Sequence, residues 1–378
     1  MLHTQTRALL AAAAVLGLAG EVAAAPPVDK LSVPPGFTIE VLHADVTNAR
    51  QLALGDAGTL FAATRGDGRV WAIDGDGTRA IASDLELPSG IAYRDGDLYV
   101  GAVSTIYRLD DIEAHLDDPP APVVVTDQLP TETHHGWKHL EFGPDGKLWV
   151  PIGAPCNICD EGDPYASIAK MDPDTGAYEI FARGIRNTVG FDFEPDTGVL
   201  WLSDNGRDML GDDVPPCELN RVPHAGMHFG YPYVHGADIL DPEFGEGHDP
   251  ADYTPPALEM QAHVAPLGIA FYTGDAFPED YRGALFVAQH GSWNRSSKVG
   301  YQVIVAYVED GEVVRSEPFV TGFLEGEAAW GRPVDVLVHP DGSLLISDDQ
   351  QGAIYRVRWT GAVADTARTA VDATTTGN

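Results

Sequence analysis

A short phrase recurs six times along this chain: an apolar strand, a turn built on Asp or Gly, and a second apolar strand. Gly143-Pro144-Asp145-Gly146 leads into Leu148-Trp149-Val150, His339-Pro340-Asp341-Gly342 into Leu344-Leu345-Ile346, and Asp95-Gly96 into Leu98-Tyr99-Val100. Weaker copies stand at Asp56-Ala57-Gly58, Asp196-Thr197-Gly198 and Arg282-Gly283. Asp-Gly between apolar runs is a strong hairpin signal. Repeated hairpins of this kind predict an all-β, six-bladed β-propeller over residues 31–358, one four-stranded sheet per repeat. The repeats begin near residues 48, 88, 135, 186, 263 and 332, and Phe37 to Leu42 is placed to close the last blade. Helical periodicity is nearly absent, with one turn expected from Ile112 to His115. A propeller gathers one loop from each blade around a central channel, so the chemistry is expected there.

The ends read differently from the repeats. Residues 1–25 have the form of a secretory signal: Arg7, a short Ala-rich apolar run, then Ala23-Ala24-Ala25. The apolar run is too short for a membrane span of roughly 20 residues. A periplasmic or secreted protein without a membrane span is expected. The stretch 360–378, rich in Ala, Thr, Asp and Gly, is expected to be a disordered tail. The net charge of −34 disfavours nucleic acid and anionic membranes as partners. Cys156 and Cys159 form a C-x-x-C, and export favours a disulfide between them, with pairings through Cys217 as the alternative.

Polar residues stand at similar offsets ahead of the hairpins: Asn48 and Arg50, Pro88 and Ser89, His134 and His135, Arg186 and Asn187, His263, and Arg332. In a propeller these positions encircle the channel mouth. A ring of Arg and His in so acidic a chain suits an anionic ligand bearing carboxylates or phosphates. Ser203 to Asp213 concentrates carboxylates, amides and glycine, a composition that suits calcium, although its spacing is not that of an EF-hand. Phe229-Gly230-Tyr231-Pro232 is an aromatic loop able to wall a planar ligand, and Gln289 to Arg295 is a candidate sugar-binding segment.

The ordered set of His135, Gly184-Ile185-Arg186-Asn187, Ser203-Asp204-Asn205-Gly206-Arg207, Phe229-Gly230-Tyr231-Pro232 and Arg332 before a Pro-Asp-Gly hairpin resembles the soluble quinoprotein sugar dehydrogenases. The similarity points to the L-sorbosone dehydrogenase-like and pyranose dehydrogenase-like branch. It implies pyrroloquinoline quinone (PQQ) and calcium at the channel mouth. It implies His135 as general base, Arg186, Asn187 and Arg332 on the cofactor, and the backbone carbonyls of Gly206 and Arg207 on calcium. Arg50, His263 and His290 are further candidates for the cofactor. Three positions depart from better-known aldose-oxidising members. His134 replaces an acid, Pro88 and Ser89 replace a glutamine, and a fifth-blade lysine is missing near His290 and Gly291.

The implied activity is oxidation of an aldose or related sugar aldehyde. Cys159 is followed by Asp160, so there is no C-x-x-C-H haem motif and a separate electron acceptor is expected. The rival reading is a calcium-dependent lactonase or esterase on a six-bladed propeller, whose metal would be held by Glu, Asn and Asp side chains. The Arg- and His-rich ring disfavours it. A third reading, a propeller that binds a partner without catalysis, would not need such a ring.

Overall fold

The computed structural model describes residues 25–362; residues 1–24 of the expected signal and residues 363–378 of the expected tail lie outside them. Six four-stranded antiparallel sheets follow one another along the chain. The first holds Leu52–Leu54, Leu60–Ala63, Val70–Asp74 and Gly77–Ala82; the second opens at Gly90–Arg94 and the third at Glu141–Phe142. The fourth, fifth and sixth open at Phe191–Phe193, Pro266–Phe271 and Pro333–Val338. Gly36–His43 completes the sixth sheet by pairing with Ala353–Ala362, so the two ends of the described chain lock the ring as expected. Closure leaves fewer open sheet edges for other chains to pair with. That last strand runs through Ala362, so residues 360–362 belong to the propeller rather than to a tail.

The recurring turns form as their residues require. Asp95 and Gly96 both have positive φ, 54° and 94°, between paired Arg94 and Asp97, which is the two-residue hairpin Asp-Gly favours. In the Pro-Asp-Gly turns the aspartate caps the loop: Asp145 Oδ1 accepts from Lys147 N at 3.1 Å, and Asp341 Oδ1 from Ser343 N at 3.0 Å. Ile112–His115 forms the expected 3-10 turn.

The core is distributed between blades. Phe61 and Val70 of the first blade pack with Ile91 and Leu98 of the second, and Trp201 of the fourth with Ile269 and Leu285 of the fifth. Polar side chains join blades near the channel. Gln51 Oε1 accepts from Ile91 N and Leu140 N, both at 2.9 Å, tying three blades together. Asp192 Oδ2 accepts from Phe271 N at 2.6 Å, and Asp335 Oδ2 from Leu52 N at 2.8 Å. Such bonds fix the inner strands, and with them the loops that precede those strands.

A channel of about 390 Å³ runs along the inner strands and contains Glu141, Asp192 and Asp335. Val189, Leu267 and Val334 pack together against Trp137. Each lies in sequence between a mouth residue and a channel residue, so the four form an apolar plug between mouth and channel.

Candidate active site

At the mouth a cleft of about 240 Å³ is walled by His134, His135, Trp137, Arg186, Asn187, Asn205, Gly206, Asp208, Cys217, His263, Trp293 and Asn294, among others. Five of the residues given catalytic, cofactor or metal roles from sequence, His135, Arg186, Asn187, Gly206 and His263, meet there, with His134 beside them.

His135 is buried in the loop before the third blade, with φ 52°. Its Nδ1 lies 2.9 Å from the carbonyl of Ala154. A carbonyl only accepts, so Nδ1 carries the proton and Nε2 is left with its lone pair. The close approach depends on Gly153, where a Cβ would meet His135 Cβ and O at 2.6 Å. Burial first, then the charges of Arg186 and His134, drive the His135 pKa down to about 2, so the imidazole is neutral.

Extended chain would turn His134 to the opposite face from His135, but His135 is left-handed and the two rings lie 4.1 Å apart, both on the cleft. His134 is the exposed member at the rim.

Arg186 is almost fully enclosed, and its donors are largely engaged. Nε bonds Asn157 O at 2.9 Å, Nη1 bonds Asn205 O at 3.1 Å, and Nη2 reaches Asn157 Oδ1 at 2.8 Å and Asp208 at 3.2 Å. Asn157 lies within the loop closed by the Cys156–Cys159 disulfide, whose Cα atoms are 6.1 Å apart. The expected pairing is therefore present, and Cys217 is free and buried. Asp204 anchors the backbone of Arg186 and Asn187, accepting from Arg186 N at 2.8 Å and Asn187 N at 2.6 Å. Burial raises its pKa to about 6 against those bonds. The carboxylates of Ser203 to Asp213 thus serve the protein itself rather than forming an open cage.

Arg50, His290 and Arg332 are not part of the cleft wall. They form a second group with Arg65, which sequence reading missed. Arg50 pairs with Asp349 at 3.0 Å, and His290 Nε2 lies 2.9 Å from the other oxygen of Asp349. Arg332 donates to the carbonyls of His290 and Gly291 at 3.0 and 2.9 Å. Arg65 lies 3.7 Å above the ring of Trp137, which joins this group to the cleft. Burial, then the Arg50 charge, lowers the Arg65 pKa; Asp349 opposes this, and Arg332 adds to it. Three guanidinium groups face one carboxylate, an excess that suits an anionic ligand.

The guanidinium groups fit a carboxylate-bearing ligand, and the cleft also offers two acceptors that call for a donor or a cation: Asn187 Oδ1 and Asn294 Oδ1 are buried without hydrogen-bond partners among the described residues. Such atoms are expensive to leave unpaired. Trp137 and Trp293 supply aromatic walls, a role expected of Phe229 to Pro232. That loop instead lines a separate 70 Å³ cavity at the disulfide, where the Tyr231 hydroxyl accepts from Cys159 N at 3.1 Å. Trp137 could have been noticed two residues past His135; Arg65 carried no comparable signal, since it lies between the second and third strands of its blade.

For calcium, no group of three His, Cys, Asp or Glu side chains able to hold a metal occurs among the described residues. Gly206 borders the cleft, while the Arg207 side chain turns away to Asp241 and Glu243. Any cation here would rest on backbone carbonyls, and those of Gly206 and Arg207 accept no hydrogen bond among the described residues. His263 is held by the carbonyl of Gly211 at 2.8 Å.

Among the described residues, no helix is long and apolar enough to cross a membrane. The family model for glucose / sorbosone dehydrogenase matches residues 106–356. An uncharacterized protein of Borreliella burgdorferi is 35% identical over 86% of this chain and 90% of its own length. The pyrroloquinoline quinone-dependent pyranose dehydrogenase of Coprinopsis cinerea is 23% identical, covering 87% of this chain but 54% of that protein. Among solved structures, the calcium structure of a Trichoderma reesei carbohydrate-active enzyme of family AA12 superposes with a TM-score of 0.75 at 19% identity, covering 87% of this chain and 97% of that one. With its six-bladed ring and its match to the family model, the chain belongs to the glucose/sorbosone dehydrogenase family.

Proposed function

We propose that the protein is a PQQ- and calcium-dependent dehydrogenase that oxidises an aldose or related sugar aldehyde, with His135 as the general base. The observation that carries this reading is the neutral His135 with Nε2 free, on a cleft that also holds the orphaned Asn187 oxygen. When bound, PQQ with calcium supplies the hydride acceptor.

The chain's own residues do the rest. Arg186 and Asn187 hold the polar edge of the cofactor, and Arg50, Arg65 and Arg332 balance its carboxylates. The carbonyls of Gly206 and Arg207 are the calcium donors. His135 Nε2 removes the proton of the sugar hydroxyl as the hydride leaves its carbon, turning a hemiacetal into a lactone. Trp293 and Asn294, with His134 at the rim, contact the sugar.

A lactonase reading finds less support. The cleft wall carries one carboxylate, Asp208, and that one is paired with Arg186. We infer export from the signal-like residues 1–25, which suits the disulfide, and electrons pass to a separate acceptor. The test is dye reduction with a panel of aldoses and ketoaldehydes, with and without PQQ and calcium. Turnover that requires both supports the reading; turnover of lactones without PQQ overturns it.

A further inference from the structure

The rim of the cleft carries two features that reach beyond the sugar contacts of Trp293 and Asn294. The first is apolar exposure. Met209 and Trp293 are 68% and 67% exposed, and Val214 is 38% exposed. They stand on two loops that are bonded to each other. Asp208 Oδ1 accepts from Asn294 Nδ2 at 2.8 Å, Asp212 Oδ1 from Ser296 N at 3.0 Å, and Arg295 donates to the Asp212 carbonyl. Met209 holds φ at 70°, left-handed for a side chain that rarely adopts it. An exposed methionine and tryptophan on braced loops beside a cleft form a contact surface rather than scattered exposure.

The second feature is charge. The loops at this end expose Glu132, which shares a loop with His135, Glu161 and Asp163 beyond Ala154, Asp213 beyond Gly206, and Glu327, which accepts from Lys298 N at 3.0 Å. The guanidinium groups of Arg50 and Arg186 are buried; Arg183 pairs with Asp163 and Arg295 with Asp213, but Glu132 and Glu161 have no cationic partner among the described residues, so a macromolecule approaching the rim meets an excess of carboxylates. The whole chain carries a net charge of −34.

We propose that the rim around Met209, Val214 and Trp293 is the docking face for a small, basic, one-electron carrier protein. The inference rests on the dehydrogenase reading. Oxidation of one hemiacetal to a lactone releases two electrons and two protons. Two carriers must therefore dock in turn, each gaining one electron, while the protons go to solvent. Charge complementarity steers the basic partner to the rim, and the apolar side chains provide a short desolvated contact over the cleft.

The holoenzyme, loaded with PQQ and calcium at saturating aldose, tests this with three acceptors: a neutral small dye, a basic mitochondrial-type cytochrome c, and the same cytochrome c with its lysines succinylated. The basic form should have a kcat/KM at least about tenfold above the succinylated form, falling about tenfold as ionic strength rises from about 20 to about 200 mM. Combining Met209→Ser, Glu161→Lys and Asp213→Lys should lower kcat/KM for the basic cytochrome about tenfold and leave dye reduction unchanged. Equal rates with both cytochromes, reduction of neither, no response to salt or a variant like wild type would each overturn the docking face while dye reduction stands. Failure of dye reduction would overturn the dehydrogenase reading, and this inference with it.

Discussion

Nδ1 of His135 donates to the carbonyl of Ala154 across 2.9 Å, and this one bond fixes which ring nitrogen is basic. The cleft then keeps that nitrogen unprotonated, because burial and Arg186 hold the His135 pKa far below the ordinary imidazole value of about 6.5. A folded-state pKa lowered in this way means the base stays available as pH falls. The acid limb of kcat/KM should therefore lie below about 6.5. A pH–rate profile of the reconstituted enzyme checks it; a limb at or above that value would show that His135 does not set the profile.

His134 and His135 differ in what they can do despite their contact at 4.1 Å. His134 is at the exposed rim and, among the described residues, makes no bond comparable to that of His135 with Ala154. His134→Ala should cost much less turnover than His135→Ala, whose loss should reach about 10² or more. Steady-state rates on one aldose settle the order, and the reverse order would move the base to His134.

Asn187 Oδ1 is buried and unpaired among the described residues, which destabilises the protein without its ligand. Asn187→Ala should leave the apo-protein as stable as wild type or raise its stability by about 1 kcal/mol, while weakening PQQ binding. Urea unfolding and a PQQ titration read the two effects separately. Loss of apo stability with unchanged affinity would contradict the assignment.

The disulfide should matter more to the site than to global stability. Closing so short a loop contributes about 2 kcal/mol in the chain-entropy account. Asn157 within that loop, however, accepts two bonds from Arg186 and another from Asp208 N at 2.8 Å. Cys156→Ser with Cys159→Ser should weaken PQQ affinity about tenfold or more, with a modest fall in Tm. An unchanged affinity would show that Arg186 is positioned without the bridge.

The channel carboxylates predict a pH dependence of stability. Burial raises Asp335 to about 7 and Asp192 to about 6, and burial with the nearby Asp192 raises Glu141 well above the carboxylate range. A raised folded pKa means the native state binds more protons than the unfolded chain between about pH 4 and pH 7. These groups therefore make stability fall as pH rises through that window. Asp335→Asn should flatten the fall, as measured by Tm against pH; an unaltered slope would exclude Asp335 as its source.

The fold was legible because its hairpin turns are local: Asp95-Gly96 and the two Pro-Asp-Gly turns need only their own residues to form. The ring of mouth positions followed from that register, which is why Arg186, Asn187 and His263 meet at the cleft. What sequence could not resolve was long-range or conformational. The left-handed φ of His135 removes the alternation of faces that extended chain would give His134. Arg65 enters through its stacking on Trp137, seventy-two residues away. Tyr231 is drawn to the disulfide loop by Cys159 N, and Arg50 and Arg332 are drawn aside by Asp349 and by the carbonyls of the fifth-blade loop. None of these contacts leaves a trace in spacing.

The most direct measurement is a paired titration of wild type and His135→Ala with PQQ in the presence of calcium, followed by addition of an aldose. The account predicts that both bind PQQ with similar affinity, that sugar rapidly bleaches the oxidised quinone absorbance in wild type, and that the variant bleaches about 10² slower or less. Absence of PQQ binding to wild type, or equal bleaching in the two proteins, would contradict it.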